Sequence, residues 1–238
     1  MKIGRIKIEE VGETYGIISP DGKSIITKLD FQEQTGVPIP QTIKEFIVRG
    51  WIDEVRKYLN DIHFSNKINN TDLLAPIPDP SKIICLAFNY YDHGRDAGLS
   101  SSNEPVIFIK PRTTVNHPFN DVVCPYFVER LDYEAELAVI IGRNTKDIEP
   151  ENASDCIFGY TILHDVSARD IQFKDKQFTR GKSIDTFAPC GPWITTKDEI
   201  DDPQNLQIVT KVNGEIRQNS SSSKMVISSE KIISRLSK

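Results

Sequence analysis

Two glutamates stand two residues apart in a segment whose other residues are typical of a buried strand. The segment 131–142 contains Glu134 and Glu136 just ahead of the apolar run 137–141. Because side chains alternate across a strand, both carboxylates lie on one face, roughly 6–7 Å apart at their Cα atoms. Two like charges at that distance repel by roughly 2–3 kcal/mol at an effective dielectric constant of 20. A strand that buries this pair therefore needs positive charge nearby, since an unpaired buried carboxylate is costly.

A third carboxylate, Asp165, closes a second apolar run at 157–164. Two glutamates and one aspartate at strand ends are oxygen ligands of the kind that Mg²⁺ or Ca²⁺ prefers over softer metals. An ordinary interpretation stays open beside this one. In it, an exposed Glu-x-Glu pair forms salt bridges with Arg143, Lys146 or Lys182. The spacing alone does not decide between the two interpretations.

Length and composition describe a globular protein with no nucleic-acid or membrane partner. The chain has 238 residues, of which 38% are hydrophobic and 26% charged, with a net charge of −5. No basic stripe or apolar run long enough to cross a bilayer is present, and the N-terminus has no secretory h-region. The four cysteines stand more than thirty residues apart. We therefore expect a cytoplasmic protein with reduced thiols and no structural zinc site.

The pattern of polar and apolar residues changes near residue 75, which predicts a small N-terminal domain at 1–75 and a second domain at 76–238. The first part combines alternating strand patterns with helical patterns at 42–47 and 51–62, and the proline-rich stretch 73–80 follows. The second part has the pattern of short strands, with an Asn213-Gly214 hairpin signal.

In the second part, helical patterns occur only at 149–155 and 168–173, so the βαβ rhythm of a parallel sheet is missing and a β-rich barrel or folded sheet is favoured. The serine run 219–223 predicts a mobile loop.

Five blocks in series resemble the fumarylacetoacetate hydrolase family. They read IICLAFNY at 83–90, PVIFIKP at 105–111, LDYEAEL at 131–137, HDVSARD at 164–170 and RGKSIDTFAPCGPW at 180–193. The match runs from about residue 80 to the end, and residues 1–75 resemble the family's small leading domain weakly. The family includes acylpyruvate and fumarylpyruvate hydrolases and 2-hydroxyhepta-2,4-diene-1,7-dioate isomerases. The resemblance implies a mixed, β-rich α+β fold with a β-roll or barrel core and a small N-terminal α+β domain. It also implies a homodimer.

The resemblance also implies a metal site and its ligands. Glu134, Glu136 and Asp165 match the family's ligands for Mg²⁺ or Mn²⁺, with Ca²⁺ as a further candidate. Lys182 matches a lysine beside the metal, where a second cation helps to hold an enolate. It is therefore predicted to be both catalytic and substrate-binding.

Further residues match substrate-facing positions of the family. Arg169 and Gln172 fall where the family places polar groups that face or support the substrate, although a structural salt bridge from Arg169 to Asp170 or Asp185 is an alternative. His93 stands where hydrolytic relatives carry a histidine followed three residues later by glutamate. Here the partner is Asp96, and on a short helix the two share one face, so Asp96 can orient His93 as general base.

The resulting hypothesis is a metal-dependent enzyme that cleaves a C–C bond in a β-diketo 2-oxo acid of the acylpyruvate or fumarylpyruvate type. The first alternative is isomerisation or decarboxylation of a 2-hydroxy-dienedioate or of oxaloacetate on the same metal site. The second alternative is a catalytically silent binding or scaffold protein. It is motivated by the C-terminus, because the sequence stops where the family normally continues into a closing segment, and we expect a truncated, weakly active domain on that ground.

Overall fold

The computed structural model describes residues 1–91 and 104–238. The strands in these ranges, numbered β1 to β15, are Lys2–Ile8, Gly12–Ile18, Ser24–Thr27, Asn66–Lys67, Leu73–Leu74, Ile83–Ala87, Val106–Lys110, Val115–Asn116, Leu131–Asp132, Ala135–Ile141, Ile157–His164, Ser167–Ala168, Ala188–Thr196, Gln207–Val212 and Glu215–Ser221. The α-helices there, numbered α1 to α7, are Lys28–Thr35, Ile43–Val48, Ile52–Arg56, Pro150–Ala153, Arg169–Asp175, Phe178–Lys182 and Ser229–Leu236. None of these helices has the length and apolar character needed to cross a bilayer.

Most of the strands in the described part of the chain form one open sheet. Its order is β10-β11-β13-β1-β2-β3-β4, with β5 beside β1 and β8 parallel to β13. Neighbours along the main path are antiparallel. The predicted β-rich α+β class is confirmed. Within the described residues, however, the path does not return on itself, so the sheet is open and is not a closed barrel.

The N-terminal strands belong to the same sheet as the rest of the chain. Strand β1 pairs with β13, where Ile3 lies opposite Ile194. Both of these residues are fully buried in a core cluster that also joins Phe46 to Phe158, whose rings meet edge to face at 6.5 Å. The two-domain division at residue 75 stays a prediction, because sheet and core run across it.

Local sequence signals set the helix starts and one hairpin, of which the hairpin was predicted from the sequence. Thr27 caps α1 in a reciprocal capping box with Asp30, and Thr42 caps α2. In the β14–β15 hairpin, Asn213 and Gly214 take φ values of 52° and 84°, the left-handed conformation that this turn needs.

Two predicted segments differ from the structure. The helix expected at 51–62 is a short helix at Ile52–Arg56 followed by turns, in which Tyr58 N donates to Val55 O at 3.1 Å. Leu59 and Ile62 still reach the core from these turns, so the apolar spacing is satisfied without a long helix. The serine run expected to be mobile completes β15 and leads into a short 3₁₀ turn. There Ser222 is fully buried and its Oγ accepts from Leu206 N at 2.7 Å.

One side chain anchors the chain just before residue 92. Asn89 Nδ2 donates to Ile227 O, and Asn89 Oδ1 accepts from Ile227 N, both at 3.0 Å. The side-chain amide therefore pairs with the backbone as a neighbouring strand would.

Candidate metal centre

Two strand ends bring Glu134 and Asp165 side by side. Glu134 lies between β9 and β10, and Asp165 directly follows β11. Strands β10 and β11 pair with Ala135 opposite His164, and Asp165 N donates to Glu134 O at 2.8 Å. Antiparallel pairing therefore places two of the three predicted ligands together at one end of the sheet.

Helix α6 places the ammonium group of Lys182 between these two carboxylates. Lys182 Nζ donates to Asp165 Oδ2 at 2.7 Å and also contacts Glu134 Oε2. Lys182 and Asp165 are 3% and 4% exposed, so water screens their attraction little. Burial opposes the charge on Lys182, but the carboxylates of Asp165 and Glu134 outweigh it and raise the lysine pKa. The predicted cation is thus fixed beside the predicted ligands.

A second lysine, Lys110, reaches the same carboxylate from the end of β7. Its Nζ donates to Asp165 Oδ1 at 2.7 Å and to Val166 O at 3.2 Å, and the side chain is 1% exposed. Burial lowers the pKa of Lys110 in spite of the attraction of Asp165. The sequence pattern assigned no role to this residue. The available signal was the alternation along β7, which buries Lys110 on the same face as Phe108.

Arg169, at the start of α5, holds the other side of the acidic pair. Its Nε donates to Asp132 Oδ2 at 2.7 Å, its Nη2 to Glu134 Oε1 at 2.6 Å and its Nη1 to Gln172 Oε1 at 3.0 Å. The ion pairs therefore run to Asp132 and Glu134, where the sequence alternative named Asp170 or Asp185. Contact of Arg169 or Gln172 with a substrate stays a prediction.

Glu136 carries the repulsion that the sequence predicts. Burial, followed by the negative charges of Glu134 and Asp165, raises the pKa of Glu136 to about 8, and Lys182 offsets this only in part. The nearby cations pair instead with Glu134 and Asp165, and Arg169 also with Asp132. A further positive charge beside Glu136 would relieve this repulsion.

The donor set fits a hard divalent cation. In residues 1–91 and 104–238, no three acidic, histidine or cysteine side chains already surround a common point that could hold an ion, and Lys182 supplies the positive charge between Glu134 and Asp165. Carboxylate oxygens are nevertheless the ligands that Mg²⁺, Mn²⁺ and Ca²⁺ prefer. A dication would also offset the burial of Glu136 and its repulsion by Glu134 and Asp165, which together raise its pKa. The trio is therefore chemically suited to the predicted metal.

The predicted general base and its partner, His93 and Asp96, lie outside the described residues. His164 lies on β11 next to Asp165, and burial lowers its pKa. The described geometry therefore bears on the ligands and on Lys182, and the role of His93 stays a prediction.

The part of the chain that contains this cluster of buried acidic and basic groups matches a known protein family. The family model described as Fumarylacetoacetate (FAA) hydrolase C-terminal matches residues 82–238, a range that contains the whole cluster. The chain belongs to the fumarylacetoacetate hydrolase family, which confirms the resemblance seen in the sequence blocks.

One curated relative is named for a tautomerase activity. The mitochondrial oxaloacetate tautomerase fahd2 of Xenopus laevis is 41% identical over 204 residues, and the alignment covers 84% of this chain and 64% of the frog protein. This chain therefore spans slightly less than two thirds of that relative. The name places the frog protein in mitochondria, so a cytoplasmic location for this chain stays a prediction, as does the homodimer.

Solved structures share the fold. The fumarylacetoacetate hydrolase of Exiguobacterium antarcticum superposes with a TM-score of 0.79 at 32% identity, covering 100% of this chain and 81% of that chain. The maleylpyruvate hydrolase of Sphingobium sp. SYK-6, solved with manganese(II) and pyruvate, gives 0.78 at 28% identity, covering 100% and 83%. Similar folds thus carry more than one reaction, and the choice among them depends on the site.

Proposed function

We propose that this protein is a metal-dependent enzyme that interconverts the keto and enol forms of a small 2-oxo acid of the oxaloacetate type. Support comes from the frog relative, which is 41% identical and is called an oxaloacetate tautomerase. The sequence alone put C–C hydrolysis first and this class of reaction second. Because of the name of this relative, we place the keto–enol reaction first and C–C hydrolysis second.

The observation that carries the proposal is the buried ammonium group of Lys182, held by Asp165 at 2.7 Å and by Glu134. Enolisation of a 2-oxo acid builds negative charge on the oxygen at C2. A preorganised donor in a site sheltered from water stabilises such charge far better than water does. Because its pKa is raised, Lys182 stays protonated, and its Nζ–H can donate to that oxygen.

Three residues would hold the metal, and two others would hold those residues in place. Glu134, Glu136 and Asp165 are the proposed ligands, and a bound divalent cation supplies Lewis acidity toward the substrate's oxygens. Lys110 fixes Asp165 from one side. Arg169 fixes Glu134, and its three nitrogens are engaged by protein acceptors, which favours a positioning role over direct substrate contact.

The proposed reaction moves one proton and consumes no water. The proton leaves C3 of the 2-oxo acid, and the oxygen at C2 gains one. Lys182 serves the oxygen end of this exchange. For the carbon end, His93 is the candidate base that the sequence offers. Since no water attacks, the reaction does not require the water-activating role that hydrolysis would give to His93.

The direct test follows the enol absorbance of oxaloacetate with added Mg²⁺ or Mn²⁺ and with a chelator. We expect metal-dependent acceleration in the parent and a loss of about 10²–10³-fold in kcat for Lys182→Met, the usual cost of deleting one such donor. Lys197→Met removes an exposed lysine far from the site and should leave the rate unchanged. Parent-like turnover by Lys182→Met would contradict the proposal.

A second candidate, C–C hydrolysis of an acylpyruvate-type substrate, is favoured by one observation. The maleylpyruvate hydrolase structure, solved with manganese(II) and pyruvate, matches this fold with a TM-score of 0.78. Product analysis separates the candidates: hydrolysis of an acylpyruvate and decarboxylation of oxaloacetate both release pyruvate, whereas tautomerisation does not. Absence of turnover on all of these substrates would favour the non-catalytic alternative.

A further inference from the structure

The β14–β15 hairpin contacts the outer edge of β10 through the side chain of Gln218. Gln218 Oε1 accepts from Ala135 N at 2.9 Å, and Gln218 Nε2 donates to Ala135 O at 3.0 Å. Strand β10 is at the end of the sheet order, and Glu134 O accepts from Asp165 N on the β11 side. By alternation, the polar groups of Ala135 face away from β11. The side-chain amide of Gln218 thus pairs with Ala135 as one residue of a neighbouring strand would.

The two hydrogen bonds hold the two peptide planes that lie between the acidic residues. The N–H of Ala135 belongs to the peptide that joins it to Glu134, and its carbonyl belongs to the peptide that joins it to Glu136. Peptide units are rigid planes, so φ and ψ are the soft variables that orient neighbouring side chains. Each glutamate therefore has one of its two flanking peptide planes held, which restrains the direction in which its side chain leaves the strand.

Gln218 is itself held in one orientation. Thr210 lies opposite Gln218 in the hairpin, and its Oγ1 donates to Gln218 Oε1 at 2.9 Å. The amide oxygen therefore accepts from two donors, which leaves the amide nitrogen to face the carbonyl of Ala135. Gln218 is half-buried, whereas its neighbours Arg217 and Asn219 are exposed, so it is an inward-facing polar residue of the hairpin.

We propose that Gln218 is a positioning residue for the metal centre, acting through the backbone of Ala135 on Glu134 and Glu136. The inference rests on the proposed metal site. The contact falls on the one residue that separates two of the proposed ligands. Groups that orient metal ligands without touching the metal typically change metal affinity by about 10–100-fold when they are removed. We expect an effect of that size here.

The test compares matched substitutions on one hairpin. Gln218→Met keeps the side chain's length and removes both bonds to Ala135. Gln207→Met is the control, because Gln207 is exposed on β14 and, among the described residues, its side-chain amide bonds to Asn219 within the same hairpin. Titration of each folded protein with Mn²⁺, followed by the paramagnetic resonance signal of the free ion, should show affinity about 10–100-fold weaker for Gln218→Met and parent-like affinity for Gln207→Met.

A second readout does not depend on metal. In the metal-free protein, hydrogen exchange at the Ala135 amide should accelerate in Gln218→Met and stay slow in Gln207→Met, since only the first loses the acceptor. If Gln218→Met does not fold, Thr210→Val takes its place. This variant removes one of the two donors to Gln218 Oε1 and should weaken Mn²⁺ binding severalfold.

The outcomes separate this inference from the proposed function. Parent-like Mn²⁺ affinity in Gln218→Met, with a lower melting temperature alone, would show a purely structural contact and overturn the inference while leaving the metal site intact. If the parent protein bound no Mn²⁺, both the metal site and the inference would fail. Parent-like affinity in Thr210→Val, where that variant replaces Gln218→Met, would likewise overturn the inference.

Discussion

Lys110 and Lys182 donate hydrogen bonds to opposite oxygens of the Asp165 carboxylate, each at 2.7 Å. One lysine comes from the end of β7 and the other from the last residue of α6. Burial would raise the pKa of Asp165, but the two ammonium groups outweigh it and lower that pKa. Asp165 is therefore already ionised where a metal ligand must be deprotonated.

Removing Lys110 should destabilise the folded protein. Lys110→Met takes one of two cations from a buried carboxylate, and breaking a buried ion pair typically costs about 3–5 kcal/mol. Because Lys182 remains, we expect the lower end of that range in urea unfolding without metal. Lys44→Met, which removes an exposed pair with Asp79 at 3.6 Å, should change the free energy of unfolding by less than about 1 kcal/mol. Equal effects of the two substitutions would rule out a special role for Lys110.

Glu136→Gln should make the protein more stable than the parent without metal and less stable than the parent with metal. The folded pKa of Glu136 is raised to about 8 from 4.5, so its contribution to stability is full below the unfolded pKa and is lost as pH rises toward the folded value. At pH 7 with a chelator, the neutral amide introduced by Glu136→Gln avoids that loss, and the variant should melt above the parent. With saturating Mn²⁺ the parent should gain stability and the variant should not. A variant stabilised by Mn²⁺ as strongly as the parent would exclude Glu136 as a ligand. Glu149→Gln, at an exposed position, is the control.

Acid should destabilise the contact between His117 and the chain near Ala75. His117 Nδ1 accepts from Ala75 N at 3.1 Å, and burial, followed by the charge of Arg5, lowers the pKa of His117. The stabilising contribution of a depressed histidine is present above its unfolded pKa and is lost as pH falls through the folded one. His117→Asn keeps an acceptor that does not titrate, so it should lose less stability than the parent between pH 7 and pH 5 in urea unfolding. An unchanged slope in His117→Asn would contradict the assignment.

The predicted general base, His93, and its partner, Asp96, can be tested by substitution. His93→Ala should reduce any C–C hydrolysis by about 10²–10⁴-fold, the usual contribution of a general base. Mn²⁺ affinity should not change, because His93 is not a proposed ligand. Asp96→Glu, which restores the side-chain length usual in the family, should hydrolyse as fast as the parent or faster. Hydrolysis by His93→Ala at the parent rate would remove His93 from the mechanism and leave Asp96 without a catalytic role.

Sequence reasoning found the parts of the cluster that follow local rules. Strand alternation put Glu134 and Glu136 on one face, and the end of an apolar run marked Asp165. Similar local rules were available for two features that were not predicted. The alternation along β7 marks Lys110 as buried, and Ser228 is an N-cap signal for the C-terminal helix α7.

Contacts between distant segments could not be predicted in this way. Gln218 reaches Ala135 across 83 residues, and a glutamine on a polar hairpin has no local feature that distinguishes it from a solvent-facing one. The pairing of β1 with β13 has the same character, because strand partners are chosen by the whole fold. At 51–62 the local pattern was read correctly, but the predicted helix was wrong. There, turns place Leu59 and Ile62 against the core, so correct apolar spacing did not require a continuous helix.

The register of β1 against β13 sets the order in which the protein is completed during synthesis. Lys2 lies opposite Thr195, and at about 5–20 residues per second a ribosome needs roughly 10–40 s to make the chain between them. The meander β1–β2–β3 can form early from local pairings, but its edge toward β13 must wait. The acidic residues of the candidate metal centre, the last of which is Asp165, therefore leave the ribosome before the strand that fixes β11 against the N-terminal sheet. Until then the nascent chain carries both the charged cluster and an unpaired strand edge with apolar residues, the kind of surface that makes a folding intermediate prone to aggregate.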